Sequence, residues 1–154
     1  ISEEASGLLQ VTRECLMRGV AAAVPGNTLN DISAAVQTHA EACGYAVIRR
    51  FVGHGIGRSL HEKPEIPNFV PGFAVSLPLK TGMILAIEPM LALGTYEVDI
   101  LEDNWTAVTR DRKLAAHFEH SVAVGPQGPD ILSLSRAQAL ESGKPLRPAA
   151  AREI

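Results

Sequence analysis

His54 stands between two glycines in the stretch GHGIGRSLHEKP, and a second imidazole, His61, follows seven residues later. Glycines on both sides open backbone conformations closed to other residues and let a ligand approach closely. A histidine in a strand-end turn also serves as a surface or structural residue, and GHG by itself sets no metal spacing. Glu88 ends the apolar run of TGMILAIEPM, on the face of Ile84 and Ala86 by two-residue alternation. A carboxylate there is costly to bury unless it is paired or bound to a metal, although a strand-end glutamate beside Pro89 can instead reach solvent. Glu119 lies in AAHFEHSVAV, where alternation predicts a mid-strand position with Ala115, His117, Ser121 and Ala123 on its face. An exposed sheet face would accommodate it without any ligand. One imidazole and two carboxylates from separate elements form a nitrogen and oxygen ligand set. Such a set suits Mn, Fe(II), Co, Ni or Zn, and no thiolate is present to select a soft metal.

Two helices precede these segments. Ala5, Leu8, Leu9, Leu16, Val20 and Ala23 recur at helical spacing from Ser2 to Val24, where Pro25 and Gly26 stop the pattern. Thr28 and Asp31 form a capping-box-like start to a second helix, with Ile32, Ala35, Val36, Ala40 and Cys43 on one face and Gly44 as its stop. Tyr45 to Val52 is aromatic and β-branched and predicts a strand running into the glycine-broken segment. Pro64, Pro67, Pro71, Gly72 and Pro78 predict a loop with extended pieces. Further strands are expected at Met83 to Pro89, Glu97 to Leu101, Trp105 to Thr109 and Ala116 to Val124, then a turn cluster at Gly125 to Pro129. Helices followed by a run of strands predict an α+β layer. Residues 135–154 are expected to hold a short helix and a loose tail.

A chain of 154 residues fits one domain and can bury roughly two-thirds of the surface it exposes when unfolded. Hydrophobic residues at 46% against 20% charged indicate a globular chain and not a disordered one. A formal charge of −3 with scattered Lys and Arg leaves no basic field for phosphates, so nucleic acid is not an expected partner. Cys15 and Cys43 lie in apolar helical contexts without CxxC spacing, which predicts buried free thiols and a reducing compartment. No apolar run reaches the roughly 18 residues that span a bilayer, and no charged-then-apolar leader is present.

The strings GHGIGRSLHE, GMILAIEPM and DNWTAVTRDRKLAAHFEHSVAV occur in the order and approximate separation of the type I methionine aminopeptidases. The chain resembles that family upstream as well, through MRGVAAAVPGNTLNDI and AEACGYAVIRRFVGHGIG, and the resemblance runs from Ser2 to Ser133. It implies the C-terminal half of a pita-bread fold, with two helices and a curved, mostly antiparallel sheet over residues 1–134. Carried over by position, His54 resembles the metal-ligating histidine, Glu88 the ligand that doubles as a proton shuttle, and Glu119 the carboxylate bridging two metals. His61 resembles the histidine that hydrogen-bonds the scissile carbonyl, and Trp105 a tryptophan lining the pocket for the methionine side chain. A lone strand tryptophan read without the family is plain core. His117 and His120 match no ligand position and are expected to be structural or surface residues.

The implied activity is removal of N-terminal methionine from nascent proteins and peptides by a metal-activated water. Two divalent ions per intact site are implied, from Co, Mn, Fe(II), Ni and Zn. The implied setting is cytoplasmic and ribosome-associated, with peptides beginning in methionine as partners, no direct nucleic-acid or membrane binding, and a monomer once both halves are present. The family draws two further aspartate ligands and a substrate-side histidine from chain preceding the first helix; none of these lies in this sequence. These 154 residues alone are therefore expected to be inactive. Asp99 and Asp111 are spaced like the absent pair but read as strand-end and turn residues. Two alternatives share the fold: an Xaa-Pro aminopeptidase or prolidase, and a pita-bread protein without catalysis that binds peptides or partner proteins. The WTAVTRDRKLAAHFEH stretch resembles the methionine enzymes more than the first, and an intact His54, Glu88 and Glu119 set argues against the second.

Overall fold

Ser2 starts the first helix because its hydroxyl oxygen accepts the Ala5 amide at 3.2 Å. Glu3 and Glu4 follow in the first turn, where the helix dipole favours negative charge. In the computed structural model this helix, α1, runs Glu3–Ala22. Residues 1–72, 76–141 and 143 are described by the structure. The second helix, α2, runs Leu29–Ala42 and begins at Thr28, whose amide and hydroxyl both donate to Asp31 Oδ2 at 2.7 Å. Those two bonds hold the Asp31 carboxyl below its ordinary pKa. Leu8, Cys15, Leu16 and Val20 of α1 and Ile32, Val36 and Ala40 of α2 are buried, a helical stripe on each along which the two helices pack.

Among the described residues there are ten strands: β1 (Ala46–Val47), β2 (Gly53–Gly55), β3 (Glu62–Ile66), β4 (Ile84–Ile87), β5 (Met90–Ala92), β6 (Val98–Ile100), β7 (Ala107–Thr109), β8 (Ala115–His117), β9 (His120–Gly125) and β10 (Gly128–Ile131). A short helix, α3, follows at Arg136–Glu141. A five-stranded sheet has the order β10-β9-β4-β2-β3, a three-stranded sheet the order β1-β5-β8, and β6 with β7 forms a separate hairpin. Every pairing is antiparallel, as expected for the α+β class. Leu85 and Ile87 of β4 and Val122 and Val124 of β9 share one core with Leu16, Val20 and Ile32 of the helices. Alternation therefore turns one face of the sheet to the helices and leaves Ala86, Ser121 and their same-face neighbours on the other.

Several local expectations are corrected. The strand predicted over residues 45–52 shrinks to Ala46–Val47, because after Ile48 the chain leaves the ladder. Arg49 there stacks its guanidinium over Tyr96 at 4.5 Å and Phe69 at 5.3 Å, a long-range pairing of cation and ring. Strands also form where prolines predicted loop or turn: β3 contains Pro64 and β10 contains Pro129. Both are edge strands, the one place in a sheet where a residue without an N–H costs no ladder bond. The expected strand from Ala116 to Val124 is two strands, β8 and β9, in different sheets. A short helix does follow Ser135, and the tail beyond Glu141 lies, Gly143 apart, outside the described residues.

Asp111 is a turn residue that accepts the amides of Thr95 at 3.0 Å and Lys113 at 3.2 Å. Asp99 sits in the middle of β6, with Oδ1 3.4 Å from Arg110 Nε. Among the described residues no helix is long and apolar enough to cross a membrane.

The two cysteines differ. Cys15 is buried between the helices with Sγ 3.5 Å from the Val36 carbonyl, and burial pushes its thiol up to about 12. Cys43 is exposed, contrary to expectation, because it caps α2 just beyond the buried stripe. At pH 8 iodoacetamide is expected to modify Cys43 and leave Cys15 intact until the protein is denatured, as read by peptide mass spectrometry. Equal labelling of both thiols in the folded protein would contradict this packing.

Candidate metal centre

The path from β4 to β5 and the path from β8 to β9 run antiparallel in one unbroken register. Ile87 faces His120 on one side and Met90 faces His117 on the other, so Glu88 and Glu119 are the opposed pair between them. The regular ladder stops there because Pro89, fully buried, has no N–H to donate. What remains is a single long bond from the Phe118 amide to the Pro89 carbonyl at 3.4 Å. Glu119 consequently lies in the break between two strands and is exposed, not in the middle of one strand as alternation predicted. Like charges placed directly across a strand pair repel, so this arrangement calls for a cation or a donor between them.

His54 comes from the third strand. In β2 it faces Ala86 of β4, two residues before Glu88 and on the same side of the sheet. The two glycines are required here by close approach. A Cβ at Gly53 would collide with the carbonyl oxygen of Ala86, and one at Gly55 with that of Lys63. Gly53→Ala is expected to push β2 away from β4 and lower stability by about 1–3 kcal/mol, the usual cost of overpacking. Calorimetric melting measures the first effect, and weaker uptake of Mn(II) in titration measures the displacement of His54.

One nitrogen or oxygen from each of His54, Glu88 and Glu119 lies within 4.8 Å of the others. The His54 ring is oriented for this. Its Nδ1 lies 2.9 Å from the Gly55 carbonyl, which can only accept, so Nδ1 is the donor there and Nε2 is the ring nitrogen left to face the cluster. That Nε2 is 3.6 Å from Glu88 Oε1, and both side chains are nearly buried, at 13% and 12% exposure. A ring nitrogen fixed by a backbone hydrogen bond beside two opposed carboxylates fits a divalent cation, and the absence of sulfur in the set matches the harder metals.

His61 packs its exposed ring against His54, with centroids 4.0 Å apart at 39°. Trp105 lies in the turn between β6 and β7 and is 88% exposed, so it is neither core nor part of a strand. His120 turns away from the cluster, with Nδ1 2.9 Å from the Ser133 hydroxyl, and burial lowers its pKa.

Two further residues stand at the site, one expected to lie apart from it and one carrying no sequence expectation. His117, expected to be structural or surface, brings Nε2 to 3.5 Å from Glu88 Oε2. The Glu88 carboxylate beside it raises its pKa against the opposing effect of partial burial. The signal was available, since the alternation that places Glu119 on one face places His117 there too. Asn68, 2% exposed, donates from Nδ2 to the Glu88 carbonyl at 3.1 Å, supplying a partner where the ladder fails. No sequence signal marks it, because its partner is 20 residues away.

The profile of Metallopeptidase family M24 matches residues 1–126. A methionine aminopeptidase of Clostridium perfringens is 52% identical over 135 residues, covering 87% of this chain and 53% of that protein. The crystal structure of methionine aminopeptidase from Thermotoga maritima superposes with a TM-score of 0.81 at 45% identity, over 87% of this chain and 53% of that one. A prolidase from Pyrococcus horikoshii shares the fold alone, with a TM-score of 0.65 at 18% identity over 88% of this chain and 33% of that one. The chain spans about half the length of the curated relatives it matches.

Proposed function

Because the chain belongs to metallopeptidase family M24 and has its pita-bread fold, we propose that His54, Glu88 and Glu119 hold divalent cations and that the intact protein releases N-terminal methionine from peptides and nascent proteins. The observation that supports this most is the meeting of one imidazole and two carboxylates, from three strands, within 4.8 Å. The methionine-releasing activity is supported by relatives that resemble this chain in both sequence and structure and are methionine aminopeptidases. Two cations per intact site, of Co, Mn, Fe(II), Ni or Zn, suit this donor set.

Bound divalent cations supply Lewis-acid polarisation of a carbonyl and a water acidic enough to attack near neutral pH. Glu88 moves a proton on a carboxylate oxygen from the attacking water to the leaving amine. His61, held against the His54 ring, donates a hydrogen bond to the oxygen on which negative charge develops. Trp105 offers an exposed apolar ring to the methionine side chain. The protein works as a monomer in the cytoplasm, beside ribosomes where new N-termini emerge.

The test is methionine release from a Met-Ala-Ser peptide by the intact protein, with Mn(II) or Co(II) added and then chelated. Release that stops on chelation, with no cleavage of an Xaa-Pro dipeptide, is expected. Preference for the Xaa-Pro substrate would reassign the activity to the prolidase type, and no metal-dependent hydrolysis of either would leave a peptide-binding module. The 154 residues alone are expected to release no methionine.

A further inference from the structure

His117 stands directly across from Met90 in the pairing of β5 with β8, and Glu88 lies two residues before Met90 on the same face. That diagonal is short enough for a long side chain to reach across. His117 and His54 meet different oxygens of Glu88: His117 Nε2 is 3.5 Å from Oε2, while Oε1 is 3.6 Å from His54 Nε2. His117 is not among the three residues whose donor atoms lie within 4.8 Å of one another. It therefore touches a candidate ligand without joining the ligand cluster. The Glu88 main chain is already held by Asn68 through its carbonyl oxygen. The terminal torsion of a glutamate is otherwise broad, so an unheld carboxylate would present either oxygen, or both, to the site.

We infer that His117 is a positioning residue for Glu88, holding Oε2 so that Oε1 is the oxygen presented on the His54 side. Either the neutral ring protonated at Nε2 or the imidazolium can donate to Oε2. The inference rests on the metal-centre reading above and adds a residue to it. Partners of this kind around a ligating side chain typically change metal affinity by about 10–100-fold when removed.

The experiment is calorimetric titration of the intact protein with Mn(II) for wild type, His54→Ala, His117→Ala and His117→Gln, with melting in chelator as the check of folding. His117→Ala is expected to raise the Kd by about tenfold or more. His117→Gln, whose amide can still donate to Oε2, is expected to restore most of that loss, which a merely structural role would not produce. His117→Leu, equally without a donor, serves if the alanine variant does not fold. Wild-type affinity in the alanine or leucine variant, with binding lost in His54→Ala, would overturn the role of His117 and leave the metal centre standing. A glutamine variant as weak as alanine would also overturn it, because the imidazole would then matter as more than a donor. Failure of wild type to bind Mn(II), or full binding by His54→Ala, would overturn the metal-centre reading itself.

Discussion

Glu119→Ala in the intact protein is expected to lower methionine release about a thousandfold, and His54→Ala by a similar factor. Lewis-acid stabilisation at such a site is worth several kcal/mol in the transition state, and each ~1.4 kcal/mol is about tenfold in rate. Removing Glu119 also leaves Glu88 facing alanine across the strand break, so the charge repulsion that favours a cation there disappears. His54→Ala removes the one nitrogen of the set, the Nε2 left to face the cluster by the bond from Nδ1 to the Gly55 carbonyl. His61→Ala should behave differently, lowering kcat with little change in Mn(II) affinity, because that ring touches His54 and is not one of the three clustered donors. Steady-state kinetics of the three variants beside Mn(II) titrations would separate these roles. Wild-type turnover by His54→Ala would remove the basis of the assignment.

Ile87→Ala is expected to cost about 2–5 kcal/mol of stability, the range for deleting a buried branched side chain and leaving a cavity. Ile87 is 1% exposed and lies between β4 and the two helices, in one core with Leu16, Val20, Ile32 and Leu85. For a chain of this size such a loss lowers the melting temperature by about 5–15 °C. The candidate ligands stand on the opposite face, next in the strand to Ile87 but turned away from the cavity. Metal affinity at 20 °C should therefore stay within a few-fold of wild type while the melting temperature falls. Loss of metal binding without a fall in melting temperature would show that the face of β4 toward the helices is not the load it is taken to be.

Sequence period specifies an element where local geometry governs it. The helical spacing of Leu8, Leu16 and Val20, and the Thr28–Asp31 cap, set α1 and α2 almost to their ends, because a helix satisfies its backbone within its own residues. His54, Glu88 and Glu119 were legible as unusual residues, since a carboxylate in or beside an apolar strand has to be explained wherever the chain goes. Strand limits were less legible. A strand is completed by partners elsewhere, and so Tyr45 to Val52 shortened once Arg49 found Tyr96 and Phe69, while Pro64 and Pro129 became strand residues by lying at sheet edges.

The residue types of the site, their order and their alternation are thus local properties that can be read along the chain. Tertiary structure alone decided that Glu88 opposes Glu119 across a ladder interrupted at Pro89, that Gly53 and Gly55 let β2 come close enough to add His54, and that His117 and Asn68 hold Glu88 from two sides. The reason is that register is a relation between distant segments: alternation states which face a residue takes, but only pairing states what it faces.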